Sequence, residues 1–194
     1  MHTIRNGLAG ATLALAATLA GATTYAGNLG DAGNAALVGS DLGAPAFDDA
    51  NAIANNVALY TFTTPAGTVS IVSTGFAGGG VDPYFTLFSG SGGTAAVHDS
   101  NYVQATTTGG DFTWTGTLAA GTYEIAFGSF ENMSFAENSG SGTLADGFTG
   151  LGDPNSLGDG SYSLDLTTPV PEPSGTWLIG VGLAALVTRM RRAR

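Results

Sequence analysis

The chain has 194 residues, of which 15 are acidic and 5 are Lys or Arg, so its formal net charge is −10. Arg5 and four C-terminal arginines are all of the basic residues, so none lies between Gly27 and Val170. Nucleic-acid phosphates and anionic lipid headgroups are bound through Lys and Arg, which excludes nucleic acid as a partner of this central region. Cysteine is absent, which excludes disulfides, thiolate nucleophiles and Cys-based zinc sites.

The N-terminus has the composition of a cleavable signal peptide. Arg5 supplies a positive charge, and Leu8 to Ala22 form a short run of apolar and small residues. Thr24-Tyr25-Ala26 places small residues at the two positions that signal peptidase reads, so we expect cleavage between Ala26 and Gly27, with cleavage after Ala22 as the alternative. We therefore predict a signal helix within residues 1–26, followed by a loosely ordered lead-in, rich in Gly, Ala, Asn and Asp, over 27–56.

From Val57 onward the chain alternates apolar with small or polar residues, which is typical of half-buried strands. The first two such segments flank the turn at Thr64 to Gly67, and we expect them to pair as a hairpin. The sequence predicts an all-β fold over 57–168, an antiparallel β-sandwich of about seven to eight strands, jelly-roll or immunoglobulin-like. The predicted strands cover residues 57–63, 68–73, 84–89, 95–99, 112–118, 122–130 and 161–167.

Residue parity within these strands predicts which side chains form the core. Phe112 and Trp114 share one face of their strand, and Tyr123, Ile125 and Phe127 share one face of the next, so we expect these faces to be buried. The same parity predicts that Glu124 faces solvent. The long insert from residue 131 to 159 is rich in Gly, Ser, Asn and Asp and is predicted to be a surface loop where a ligand site could lie.

The C-terminal tail combines three features of unlike chemistry. Pro171-Glu172-Pro173 prevents a continuous helix and is followed by an apolar helix predicted over 175–188. The run is short for a membrane span, which needs about 20 residues, so it suits a transient sorting signal, although a lasting single transmembrane helix is the alternative. The arginines that follow should stay on the cytoplasmic side of the inner membrane, which places the acidic domain outside. They are Arg189, Arg191, Arg192 and Arg194.

This order of proline linker, apolar run and arginine cluster resembles the PEP-CTERM sorting signal, which exosortase-type membrane enzymes recognise in Gram-negative bacteria that make extracellular polysaccharide. The resemblance implies a membrane-associated precursor that is exported, cut near residues 171–173 and delivered to the cell surface or outside the cell. It also implies two processing partners, signal peptidase and an exosortase-type enzyme.

The core looks like the pre-peptidase C-terminal (PPC-like) β-sandwich. The residues that carry this resemblance include 57–62, 67–71, 82–88 and the segment from Leu118 to Tyr123. That family is a non-catalytic accessory domain, so the resemblance implies a core that is not an enzyme.

The core contains only partial matches to motifs for catalysis and cofactor binding. A histidine-based triad is not expected, because His98, Asp99 and Ser100 are neighbours on one strand and point to alternate faces. The Asp153 to Gly158 segment begins like an EF-hand loop but places Leu157 where an oxygen ligand is required. We therefore expect no catalytic and no cofactor-binding residues.

Four aspartates at strand ends form the remaining polar group: Asp48, Asp49, Asp82 and Asp99. Oxygen ligands at such positions commonly hold Ca²⁺, although solvated carboxylates and turn caps are the simpler interpretation.

The sequence as a whole predicts a non-enzymatic cell-surface or extracellular-matrix protein, adhesive or structural, with exopolysaccharide as a candidate partner. A secreted hydrolase acting on matrix polysaccharide is the alternative. Paired carboxylates for that chemistry would come from Glu124, Glu131 or Glu137, but their spacing selects no pair.

Overall fold

The computed structural model describes residues 21–31, 57–130, 132–138, 141–148 and 157–170. These residues form eight strands, two short α-helices and two 3₁₀ turns. The strands are β1 (Gly21–Asn28), β2 (Ala58–Thr64), β3 (Gly67–Thr74), β4 (Pro83–Ser89), β5 (Ala96–Ser100), β6 (Thr113–Leu118), β7 (Gly121–Ser129) and β8 (Ser161–Thr168). The helices are α1 (Tyr102–Thr107) and α2 (Phe135–Asn138), and the 3₁₀ turns are Phe76–Gly78 and Leu144–Asp146.

The strands form two four-stranded antiparallel sheets. The first sheet has the order β1-β8-β3-β6 and the second sheet the order β2-β7-β4-β5. This interleaving of eight strands between two sheets is the jelly-roll arrangement. The predicted antiparallel sandwich is therefore confirmed, and the strand order is jelly-roll, not immunoglobulin-like. The predicted transmembrane helix lies outside the described residues. The predicted signal helix within residues 1–26 is described only at residues 21–26, where the structure has a strand and not a helix.

All seven predicted strands are present, but the predicted hairpin is wrong. β2 pairs with β7 in the second sheet, whereas β3 pairs with β6 and β8 in the first. The turn at Thr64 to Gly67 thus carries the chain from one sheet to the other. A Pro-Gly turn signal indicates that the chain changes direction, but it does not determine which strands then exchange hydrogen bonds.

Strand β1 was not predicted. It pairs with β8 along its whole length, from Gly21 opposite Thr168 to Asn28 opposite Ser161. Tyr25 in the middle of β1 stacks on Tyr60 of β2 with ring centroids 4.2 Å apart, so the strand contacts both sheets. Residues 21–28 lie in the segment assigned to the signal peptide and lead-in, where Ala, Gly and Thr gave little apolar alternation.

The main core lies between the two sheets, and it is filled by the inward-facing side chains that alternate along each strand. Ile71 and Leu164 point inward from the first sheet, and Phe85 and Phe127 from the second, all fully buried. The predicted core faces are confirmed for Phe112 and for Tyr123, Ile125 and Phe127, whereas Trp114 is only half-buried against the core. An alternating sequence therefore buries one face of each sheet, as expected for a sandwich.

A second apolar cluster lies on the outer face of the second sheet. Phe88 and Ala126 of that sheet pack in one cluster with Leu144 and Phe148. Phe148 is 1% exposed. The prediction that residues 131–159 form a surface loop is therefore wrong for residues 132–138 and 141–148, which we call the cover. Its apolar residues are few and separated by Gly and Ser, so they show no periodicity that would indicate burial.

The described residues contain no helix with the length and apolar character needed to cross a membrane.

Candidate functional site

A groove of about 550 Å³ lies at the edge of the sandwich where β5 of the second sheet faces β6 of the first. The connection between those two strands, which includes α1, forms one wall, and the start of β6 forms the other. The cover contributes Glu137. We call this site the edge groove. It is lined by residues 99–104, 107–108, 112–114 and 137.

A buried asparagine fixes the wall that α1 provides. Asn101 is 7% exposed, and its Oδ1 accepts a hydrogen bond of 2.7 Å from the Phe85 backbone N–H. Its Nδ2 donates to the Pro83 carbonyl at 3.1 Å and to Gln104 Oε1 at 3.0 Å. Gln104 Nε2 donates in turn to the Gly109 carbonyl at 2.6 Å. Because these amides bridge α1 to strand β4 and to the following turn, the short helix is held in place despite its six residues.

Aromatic rings form the apolar part of the edge groove. Phe112 stacks on Phe85 of the main core at 4.6 Å, and Trp114 meets the edge of the same ring at 6.2 Å. Trp114 is half-buried, with its indole lying over Gly116, where an added Cβ would come within 2.5 Å of the ring. The glycine thus makes room for the indole to lie flat along β6.

Asp99 bridges the two walls. Its Oδ2 accepts a hydrogen bond of 2.9 Å from Trp114 Nε1, and its Oδ1 accepts one of 2.9 Å from the Ser100 backbone N–H. Asp99 is exposed, so its carboxylate keeps lone pairs directed to solvent. This hydrogen bond joins β5 of the second sheet to β6 of the first across the open edge of the sandwich.

Glu137 ties the cover to the edge groove. Its Oε1 accepts a hydrogen bond of 2.5 Å from Ser100 Oγ, and its Oε2 accepts one from the Tyr84 hydroxyl. Burial of Tyr84 raises the pKa of its hydroxyl well above the ordinary value, and the hydrogen bond to Glu137 raises that pKa further. Tyr84 therefore stays protonated and acts as a donor to the carboxylate.

Of the four aspartates predicted as calcium ligands, Asp99 lines the edge groove. Asp82 does not line the edge groove: its Oδ1 accepts a hydrogen bond of 2.6 Å from the Gly110 backbone N–H. Asp48 and Asp49 lie outside the described residues. No group of three or more His, Asp or Glu residues that could hold a metal ion is found within the described part of the chain. Calcium binding by these four aspartates stays a prediction.

The prediction that Glu124 faces solvent is wrong. The residue is 5% exposed, on the outer face of the second sheet, and its Oε2 accepts a hydrogen bond of 2.7 Å from the Gly92 backbone N–H. Parity correctly placed Glu124 opposite the main core, but that face is itself covered. His98 is exposed, and its ring lies roughly perpendicular to that of Tyr123, with the ring centroids 5.8 Å apart. Glu131 lies outside the described residues.

Of the predicted processing residues, two lie within the described part of the chain and the others do not. Ala26 and Gly27 lie within β1, opposite Ser163 and Tyr162 of β8. Pro171, Glu172, Pro173 and the four C-terminal arginines lie outside the described residues. Cleavage between Ala26 and Gly27 stays a prediction.

Sequence reasoning missed most of the edge groove. Asn101, Gln104 and Glu137 were not selected as site residues, because amides and single carboxylates in loops carry no spacing signal. The usable sign was Trp114 near the start of an edge strand with Gly116 two residues later, on the same face.

The geometry defines a small acidic β-sandwich with one mixed polar and aromatic groove at its edge. Residues 169–192 match the protein family described as the PEP-CTERM protein-sorting motif. The tail therefore carries a motif that suggests an exported protein sorted through its C-terminal signal, and that implies recognition by an exosortase-type enzyme. The match covers the tail and not the sandwich, so the PPC-like resemblance of the core stays a prediction. No curated protein matches the chain.

Proposed function

We propose that the protein is a non-enzymatic cell-surface or extracellular-matrix component, with the jelly roll as its adhesive or structural module. The observation that carries the proposal is the PEP-CTERM motif at residues 169–192, which follows an acidic sandwich directly. A domain without Lys or Arg between residues 27 and 170 repels other copies of itself and stays soluble outside the cell. These properties suit a protein that is displayed or released rather than inserted in a membrane.

Export would begin with the N-terminal signal peptide, and strand β1 bears on where that peptide is cut. Cleavage after Ala26 would remove six of the eight β1 residues, including Tyr25, and would leave the edge of β8 unpaired. Ala20-Gly21-Ala22 offers small residues at both positions that signal peptidase reads. Cleavage after Ala22 would remove only the two residues opposite Thr167 and Thr168. The strand thus favours Thr23 as the first residue of the mature protein.

The tail would act as a transient membrane signal. Because a residue before proline is disfavoured in helical conformation, we expect Glu172 to lie in an extended segment that a membrane enzyme could reach at the outer interface. The arginines after the apolar run keep the C-terminus on the cytoplasmic side. Cleavage near residues 171–173 would then free the sandwich from Gly175 to Arg194.

A secreted hydrolase acting on matrix polysaccharide is the rival function, and the described carboxylates support it poorly. Glu124 is buried on the outer face of the second sheet, where its carboxylate accepts a hydrogen bond from the Gly92 N–H in the turn between β4 and β5. Glu137 accepts a hydrogen bond from the Ser100 hydroxyl on one carboxylate oxygen and from the Tyr84 hydroxyl on the other, so both oxygens already hold the cover to the sandwich. Both residues are therefore better explained as acceptors that hold the cover and its neighbouring turn.

The test is the mass of the surface-exposed protein, measured in cells with and without the sorting enzyme. We expect a form that begins at Thr23 and lacks residues 175–194. The double substitution Pro171→Ala and Glu172→Ala should leave full-length precursor in the inner membrane. The control double substitution, Asp153→Ala and Pro154→Ala, should be processed normally. A surface form that still contains Trp177 to Arg192 would contradict the sorting proposal, and one that begins at Gly27 would contradict the Ala22 site.

A further inference from the structure

We propose that the edge groove binds a neutral polysaccharide chain. This inference rests on the proposed function, because it names the ligand through which an exported surface protein would contact its matrix. The groove combines flat aromatic surface with carboxylate, amide and hydroxyl groups in a volume of about 550 Å³. Ligand sites of this kind usually occupy about 300–1,000 Å³.

The aromatic surface suits the C–H faces of sugar rings. Trp114 is only half-buried, and it lines the groove. The ring is fixed by the hydrogen bond from its Nε1 to Asp99, by the contact with the Phe85 ring and by its close packing over Gly116. A ring that is already immobile loses little conformational freedom when a ligand stacks on it, which favours binding.

The polar groups suit a ligand rich in hydroxyl groups. Asp99 and Glu137 present carboxylate oxygens, which only accept hydrogen bonds, and hydroxyl groups are the matching donors. On the exposed rim, Thr107 and Thr108 donate their hydroxyl hydrogens to carbonyls of α1, so their oxygens can accept from a ligand. Thr113 adds a hydroxyl that can donate or accept. A sugar chain offers both kinds of partner at short intervals.

Charge excludes the anionic alternatives. The groove contains two carboxylates, and no Lys or Arg lies among the residues that line it. A phosphate, sulfate or uronate group would therefore enter a negative field with no cation to neutralise it. A neutral chain meets no such barrier.

The groove accepts a polymer because its rim is exposed. Val103 on α1 is 72% exposed, and Thr113 on the opposite wall is also exposed, so neither wall closes over the site. A chain can therefore enter and leave along the edge of the sandwich, whereas an enclosed pocket would admit only a free end or a small molecule.

Tryptophan fluorescence provides the test. The chain has two tryptophans, Trp114 and Trp177, so Trp177→Phe makes the indole in the groove the sole tryptophan, which can be excited selectively at wavelengths where tyrosine does not absorb. We would titrate this full-length variant with soluble dextran, mannan and galactan, and with alginate as an anionic polymer of similar length. We expect a saturable blue shift with at least one neutral polymer and none with alginate.

A matched pair of charge insertions locates the site. Val103→Arg places a long side chain on the groove wall, and Phe76→Arg places the same side chain at an exposed apolar position outside it. Both positions are exposed, so the fold should tolerate them. We expect at least a tenfold loss of affinity in the first variant and less than a twofold change in the second.

Three results would overturn the proposal: no spectral response to any of the neutral polymers, an equal response to alginate, or unchanged affinity in Val103→Arg. These outcomes are separable from a failure of the proposed function. Val103→Arg should still be sorted and cut like the parent chain, and surface labelling with mass analysis measures that independently of binding.

Discussion

The outer faces of the two sheets have opposite characters. The first sheet presents hydroxyl side chains to solvent, among them Ser70, Thr115 and Thr167, which lie in one row across three strands. The second sheet presents apolar side chains such as Phe88 and Ala126, and the cover buries them. The main core between the sheets is apolar on both sides, so only these outer faces differ.

The difference explains why the chain contains the cover. Hydroxyl groups on the first sheet hydrogen-bond to water, so that face is stable when exposed. The second sheet would expose phenylalanine and valine, and burying them in a second cluster stabilises the fold. The sequence of strand β4 reflects burial on both faces, because every residue from Pro83 to Phe88 is buried and the segment lacks polar alternation. The first sheet thus stabilises the domain through one face, and the second through two.

The largest expected effect comes from the cover. Phe148→Ala should lower the free energy of unfolding by about 3–5 kcal/mol, because Phe148 is 1% exposed and its loss leaves a cavity against the second sheet. Val72→Ala on the outer face of the first sheet is the control and should cost less than about 1 kcal/mol. Denaturant unfolding of both variants measures the difference. Equal losses would mean that the cover contributes no more than an exposed face does.

An effect on stability of intermediate size is expected from two carboxylates, one on each sheet. Glu124→Ala leaves the Gly92 N–H without its acceptor on the second sheet and should cost about 1–3 kcal/mol. Asp165→Ala removes an exposed acceptor for Thr24 Oγ1 on the first sheet and should change stability by less than about 0.5 kcal/mol. Both variants lose one negative charge, so the comparison of their unfolding free energies isolates burial. A larger loss of stability for Asp165→Ala than for Glu124→Ala would contradict the role of burial.

The smallest expected effect is a pH dependence within the cover. Desolvation acts to raise the pKa of Asp146, but hydrogen bonds from Ser141 Oγ and from the backbone N–H groups of Thr143 and Gly142 outweigh it and lower the pKa below 3.8. A lowered pKa in the folded state means that the carboxylate stabilises the fold above pH 3.8, and that this contribution is lost as the pH falls through the folded-state pKa.

Asp146→Asn tests this dependence. The variant should be less stable than the parent at pH 7, by less than about 1 kcal/mol because the site is exposed to solvent, and the difference should shrink below pH 3.8. Urea unfolding at a series of pH values measures it, with Asp165→Asn on the first sheet as the control. A difference that stays constant down to pH 2 would show that Asp146 does not act through its charge.

The two ends of the chain, both predicted to be processed, differ in how much of each could be predicted from the sequence. The tail was predictable from sequence, because proline, apolar run and arginines must occur in one order, and residues 169–192 match the sorting motif. The N-terminal signal is read from composition alone, and composition does not reveal that residues 21–28 also form a strand. A segment of small residues can enter a membrane enzyme or pair with β8, and pairing depends on residues about 140 positions away.

Sequence alone determined the seven strands from residue 58 onward and the inward faces of β6 and β7, because alternation is a local property of neighbouring residues. Tertiary structure decided which strands pair, so the turn at Pro65 connects two sheets instead of closing a hairpin. It also decided the environment of Glu124, since a residue that points away from one core is exposed only if nothing covers that face. The edge groove belongs to the same category: Asp99, Trp114 and Glu137 lie on different elements, and only the closure of the sandwich brings their side chains to one edge.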